Sequence, residues 1–205
     1  MAARNPTFRE RALEVALAEA AAGVHEIGGN NLGPIVATFL RSAGINVPAA
    51  WCMAFVHWCY LRVGLSLGGG ASVGFFQEWG RQNGDLVTRP LRGDVGCWDY
   101  TGDHWADHVF IVERVLALGP FGWVLSTVEG NTGSDANAGL PDGVYRRTRR
   151  IGRGQLVFVR IPGQPNPAKE AAARAARKPH VVYTLIRREH AGWWMTTIEP
   201  VKEVT

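Results

Sequence analysis

The chain has 205 residues, 46% hydrophobic and 20% charged, which leaves room for one well-cored domain plus an appendage and excludes disorder throughout. No run of about 18 apolar residues is present, so no helical membrane span is expected, and three cysteines, an odd number, do not make a disulfide framework. The net charge of +4 favours an anionic partner such as a cell-envelope polymer or a nucleic acid, although Arg146, Arg147, Arg149, Arg150, Arg153 and Arg160 equally read as a solvated charged face, the commoner case.

Thr7-Phe8-Arg9-Glu10 spells a capping box, and Leu13, Leu17, Ala20 and Val24 follow it as an apolar stripe. A first helix is therefore expected over residues 8–25, ended by Gly28-Gly29. Arg4, Arg9, Glu10, Arg11, Glu14 and Glu19 interrupt this region, so no secretory leader is read here and synthesis in the cytoplasm is expected. Pro34 suits the first position of a second helix running through Ile35, Val36, Phe39 and Leu40 to Gly44. Pro48 disfavours helix at Val47, which starts a third near Trp51, and Cys52, Phe55, Val56, Cys59 and Val63 form its buried stripe.

After the break at Gly68-Gly69-Gly70, Phe75, Phe76 and Trp79 read as a short helical or irregular aromatic cluster able to line a groove. Next come five apolar or alternating runs, Gly93 to Trp98, His108 to Leu118, Trp123 to Glu129, Val144 to Ile151 and Gln155 to Ile161, which predict an antiparallel sheet or small open barrel. Helices followed by strands give an α+β class. Three segments follow: a domain over 1–162, a linker over 163–180 with a short alanine-rich helix at 168–177, and a β-hairpin appendage over 181–205. An isolated hairpin is marginal in water, so this one is expected to dock on the domain, on another copy or on a protein partner.

Cys52 is the foremost candidate for chemistry. A cysteine in the first helical turn sits in the positive field of unpaired N–H groups, which favours the nucleophilic thiolate. Cys59 lies two turns deeper, about 10 Å along the axis, and with Cys97 reads as core. A catalytic thiol needs a base, and the base an orienting partner. His108 opens a strand, and Glu129 and Asn131 end the next; an antiparallel hairpin brings those ends together. His57 reads as a surface or wedge residue, and His25 with Glu26 as an end to the first helix. Asp99, Asp103, His104, Asp107 and His108 cluster in sequence, yet no zinc-type spacing supports a metal, and a solvated loop explains most of the cluster.

Trp51-Cys52-Met53-Ala54-Phe55-Val56, followed by Gly93-Asp94-Val95, His108-Val109 and Glu129-Gly130-Asn131, resembles a CHAP domain, the cysteine, histidine-dependent amidohydrolase/peptidase family of papain-like cell-wall hydrolases. Asn30-Asn31-Leu32-Gly33-Pro34 is similar to phage-associated members. The resemblance covers roughly residues 10–162. It implies a papain-like fold, Cys52 as nucleophile, His108 as base and then acid, Glu129 as the group orienting His108, and Asn131 as an accessory polar residue. Trp51 either flanks the substrate or packs. The implied partner is bacterial peptidoglycan rather than nucleic acid, with no cofactor and no metal; Ile45 to Ala50 lacks the carboxylates of a calcium loop. An interbacterial amidase toxin and a structural phage assembly module are the alternative readings. The wall would be reached after release through a holin, a virion or a secretion system.

Overall fold

The structure, a computed structural model, describes residues 6–83, 85–135, 139–163, 182–190 and 193–201, the last two ranges by their backbone. The chain divides into two units, Met1–Gln164 and Pro165–Thr205.

In the first unit the capping box closes reciprocally: Glu10 N–H donates to Thr7 Oγ1 (3.3 Å) and Thr7 N–H to Glu10 Oε2 (2.7 Å). The helix it starts, α1 (Phe8–Ala21), stops short of residue 25 because Gly23 takes φ +69°, a left-handed turn that glycine enters at no steric cost. The chain then runs beside a later strand, with Val144 N–H donating to Val24 O and Glu26 N–H to Asp142 O, both 2.8 Å. Pro34 takes the first turn of α2 (Pro34–Ser42). Helix α3 (Cys52–Arg62) buries far more than one stripe: Cys52 to His57, Cys59 and Tyr60 are all buried. His57, read as a surface or wedge residue, is wedged inside, and burial holds its imidazole below the ordinary value.

The aromatic cluster forms a fourth regular helix, α4 (Val73–Gln82), capped by Ser72, whose side chain accepts from Phe75 N–H at 3.4 Å. Its glycines are helix-poor, but they fit close neighbours: a Cβ on Gly74 would fall 2.0 Å from Trp105, and one on Gly80 2.9 Å from Val159.

The sheet comprises β1 (Leu86–Val87), β2 (Val95–Trp98), β3 (His108–Gly119), β4 (Gly122–Thr132), β5 (Gly143–Gly152) and β6 (Leu156–Val159), in the order β1-β6-β2-β3-β4-β5. Every pairing is antiparallel. The five expected strands are β2 to β6; the sixth, β1, is a two-residue edge strand too short to leave a periodic signal. One face, carrying Val95, Cys97, Val109, Ile111, Val128 and Val144, packs on the buried residues of α1 to α3. The other gathers Phe110, Val112, Trp123, Leu125, Ile151, Leu156 and Phe158 in a second core. These two cores alternate along the strands, as a period of two requires.

Asp94 joins the layers. It is fully buried, accepts from Leu91 N–H (2.8 Å), and receives Arg9 Nη1 of α1 at 3.0 Å and Arg160 Nη2, just beyond β6, at 2.8 Å. Beside it, Gly93 O accepts from Tyr60 Oη of α3 (3.1 Å), and a Cβ on Gly93 would fall 2.6 Å from Arg9 O. The Gly93-Asp94-Val95 motif is thus a structural joint between α1, α3 and the sheet.

In the second unit, β7 (Val182–His190) and β8 (Trp193–Val201) pair antiparallel, from Val182 opposite Val201 to His190 opposite Trp193. The spacer helix expected at 168–177 lies outside the described residues. Among the described residues no helix is long and apolar enough to cross a membrane.

Candidate active site

Helix α3 begins where β4 ends. Asn131 closes the junction: it takes φ +57°, a conformation asparagine tolerates, and its Oδ1 accepts from Trp51 N–H at 2.7 Å. That bond satisfies an N–H at the helix start that has no partner within the helix. Gly130 lies flat against α3, so that an added Cβ would fall 2.8 Å from both Phe55 and the Trp51 ring. The contact explains the glycine between Glu129 and Asn131. Gly130→Ala is expected to push α3 off β4, lowering any reaction at Cys52 by on the order of a hundredfold and stability by about 1–3 kcal/mol. Steady-state rates and urea melts read the two effects separately.

Trp51 itself is 0% exposed, so the sequence's option of a substrate-facing indole is corrected to packing. Its Nε1–H donates to Glu26 Oε1 (2.9 Å), and its ring meets Phe39 and Phe55. Glu26 reaches it because Gly23 turned the chain back early.

Cys52 is 7% exposed and His108 9%, so both are nearly but not wholly buried. His108 Nε2 meets Glu129 Oε2 at 2.9 Å. The Cys52 side chain stands close enough to the ring to act on its charge, so Cys52, His108 and Glu129 meet across α3, β3 and β4. Burial disfavours the charged ring, yet the bonds to Cys52 and Glu129 outweigh it and raise His108 to about 9. Glu129, 0% exposed, is opposed by its own burial but held down to about 2 by Arg149 and His108. The structure brings together Cys52, His108, Glu129 and Asn131, the residues singled out by sequence for chemistry.

Two further partners of Glu129 escaped the sequence reading. Thr127, fully buried on β4, donates Oγ1–H to Glu129 Oε1 (2.5 Å). Arg149 of β5 places Nε 2.8 Å from Glu129 Oε1 and Nη2 against Oε2, while Nη2 also donates to Thr132 Oγ1 (3.0 Å). Its guanidinium carbon stands 5.3 Å from the centre of the Trp98 ring. The arginine group therefore splits: Arg149 turns to Glu129, Arg160 to Asp94, Arg147 to Asp135 and Arg146 to Glu113. Alternating burial along β5 was the available signal, but parity alone does not say which face holds the carboxylate.

The acidic loop between β2 and β3 spends its carboxylates on itself. Asp99 accepts from Gly102 N–H (2.5 Å) and His104 N–H (2.8 Å), and Asp107 Oδ2 from Tyr100 N–H and Thr101 N–H, both at 3.0 Å. Among the described residues no group of three or more His, Cys, Asp or Glu side chains converges as a metal site. His25 Nδ1 meets Gly23 O at 2.7 Å, after the end of α1. Cys59 and Cys97 are buried and free, and burial pushes both thiols well above the ordinary value.

No curated protein and no solved structure matches the chain. A family model does, over residues 44–131, a span that opens just before α3 and holds Cys52, His108, Glu129 and Asn131. The matching model is that of the CHAP domain, so residues 44–131 are similar to a CHAP domain, and the α+β fold that positions those side chains is consistent with it.

Proposed function

We propose that Cys52, His108 and Glu129 are the catalytic residues of a peptidoglycan hydrolase that cleaves an amide bond through a thioester, as an N-acetylmuramoyl-L-alanine amidase or an endopeptidase. The CHAP domain supports peptidoglycan amidase or peptidase activity in general. The observation that carries the residue assignment is the 2.9 Å bond from His108 Nε2 to Glu129, with the Cys52 side chain close enough to the same ring to raise its pKa.

In the reaction the Cys52 thiolate attacks the amide carbonyl carbon, and the oxyanion is held by the Cys52 N–H at the start of α3. The C–N bond breaks as the His108 imidazolium gives its proton to the leaving amine, which leaves a thioester and a neutral ring. Water then attacks the thioester carbonyl while His108 takes its proton; the Cys52 thiolate departs and the imidazolium is restored. Glu129 holds the ring in the tautomer and plane both steps need. Asn131 positions α3 through Trp51 N–H rather than touching the ring. As part of the same reading, the protein acts on the wall after release from the cytoplasm, in the manner of a phage lysin; the likeness of Asn30 to Pro34 to phage-associated members supports this.

Because the imidazolium is the working acid, kcat/KM is expected to fall on the alkaline side with an apparent pKa of about 9. The same shifts set a stability window. His108 is raised from 6.5 to about 9, so its contribution is complete below pH 6.5 and fades as pH rises through 9. Glu129 is lowered from 4.5 to about 2, so its contribution holds above pH 4.5 and is lost as pH falls towards 2. Urea melts across pH check the window.

The functional test is digestion of purified peptidoglycan, with mass spectrometry of the soluble products. Whole stem peptides freed from the glycan identify an amidase; cuts within the stem or cross-bridge identify an endopeptidase. No release from any of several wall types would refute the assignment.

A further inference from the structure

Arg149 lies on β5, outside the residues 44–131 matched by the family, and places two nitrogens on Glu129 of the candidate triad. Its side chain is 17% exposed and reaches Glu129 from the strand next to β4. A carboxylate offers about four lone-pair directions. At Glu129 they meet His108 Nε2, Thr127 Oγ1, Arg149 Nε and Arg149 Nη2, so the group cannot turn without breaking a bond. The arginine is itself fixed, by Thr132 Oγ1 on one side and the Trp98 ring on the other. Trp98 is the register partner of His108, so β2, β3, β4 and β5 all contribute to the alignment of the ring.

Charge gives the second half of the argument. With the thiolate and the imidazolium formed, Cys52, His108, Glu129 and Arg149 sum to zero. Once the thioester has formed and His108 has given up its proton, Glu129 and Arg149 still sum to zero. Without Arg149 each stage would carry one uncompensated negative charge in a buried site, which binds a proton on His108 and withholds it from the leaving amine. Arg147 pairs with Asp135 at 2.7 Å, and Asp135 adds to the field that holds Arg149 protonated.

We propose that Arg149 is a positioning residue for the reaction: its guanidinium fork fixes the plane of Glu129 against the His108 ring and cancels the buried carboxylate charge, so that the ring can both give and accept a proton. This rests on the reading of Cys52, His108 and Glu129 as the catalytic group.

Arg149→Lys and Arg149→Met separate the two halves. On a soluble peptidoglycan fragment, both are expected to lower kcat by on the order of ten- to a hundredfold through loss of the fork. The alkaline limb should stay near its wild-type position in Arg149→Lys, which keeps the charge, and move up by about one pH unit in Arg149→Met, which does not. A merely structural arginine would reduce the active fraction in both variants and leave the limb in place, and that result would overturn the proposal. A second readout needs no turnover: NMR titration of His108 in Cys52→Ala, with and without Arg149→Met, should show a higher pKa when the arginine is absent. Unchanged titration would overturn the coupling. A higher pKa in a protein whose wild type leaves peptidoglycan intact would support the coupling and refute the substrate assignment.

Discussion

Cys52→Ala is expected to reduce peptidoglycan hydrolysis to background, a loss on the order of 10⁵-fold or more, because no other group in the site can form the thioester. The fold should survive. The side chain loses one atom at a position 7% exposed, and Asn131 bonds the Trp51 backbone rather than the thiol, so the start of α3 stays anchored. A melting temperature within a few degrees of wild type, with no product by mass spectrometry, is the expected pair of results. His108→Ala should match it in rate, since members of a catalytic unit lose activity non-additively, and the double variant should be no worse than either single one.

Asp94→Ala should have the largest effect on stability. It leaves the Arg9 and Arg160 guanidiniums facing each other with no carboxylate between them, and it strips the acceptor from Leu91 N–H. Breaking a buried ion pair from one side costs about 3–5 kcal/mol, against a total stability of about 5–15 kcal/mol for a domain. The urea midpoint should fall accordingly with the m-value unchanged. Asp94→Asn, which keeps an oxygen for Leu91 N–H, should lose less. Equal stability in Asp94→Ala and wild type would mean that the joint between α1 and the sheet is held by apolar packing alone.

The parts of this protein that could be read from the sequence are those whose signal is local. Thr7 and Glu10 start α1, and Pro34 starts α2, by chemistry confined to a single turn. Cys52 and His108 each open a periodic element and Glu129 lies in the last residues of the paired strand, so helix and hairpin geometry pointed to their meeting. The parts that could not be read depend on distant partners. Trp51 is buried because Glu26 meets its indole, and Glu26 arrives there only because the chain turns at Gly23 rather than at Gly28. Helix α4 is obscured by Gly74 and Gly80, whose purpose is visible only once Trp105 and Val159 are seen against them. Arg149 and Arg147 share a parity on β5, with Arg146 and Arg150 on the other, and only the register with β4 shows which of the four meets Glu129. Of the two places open to His57, surface or wedge, the structure takes the wedge, because α3 is covered nearly all round where a single stripe predicts an exposed back.

The most direct test of the central claim is to treat the protein with iodoacetamide at pH 7, follow the residual hydrolysis of peptidoglycan, and locate the alkylated cysteine by mass spectrometry. Cys52 keeps 7% exposure, whereas Cys59 and Cys97 are 0% and 1% exposed and burial pushes their thiols well above the ordinary value. One equivalent of label on Cys52, activity lost in proportion to it, and unlabelled Cys59 and Cys97 in the folded protein are expected. Hydrolysis that persists after Cys52 is fully alkylated would contradict it.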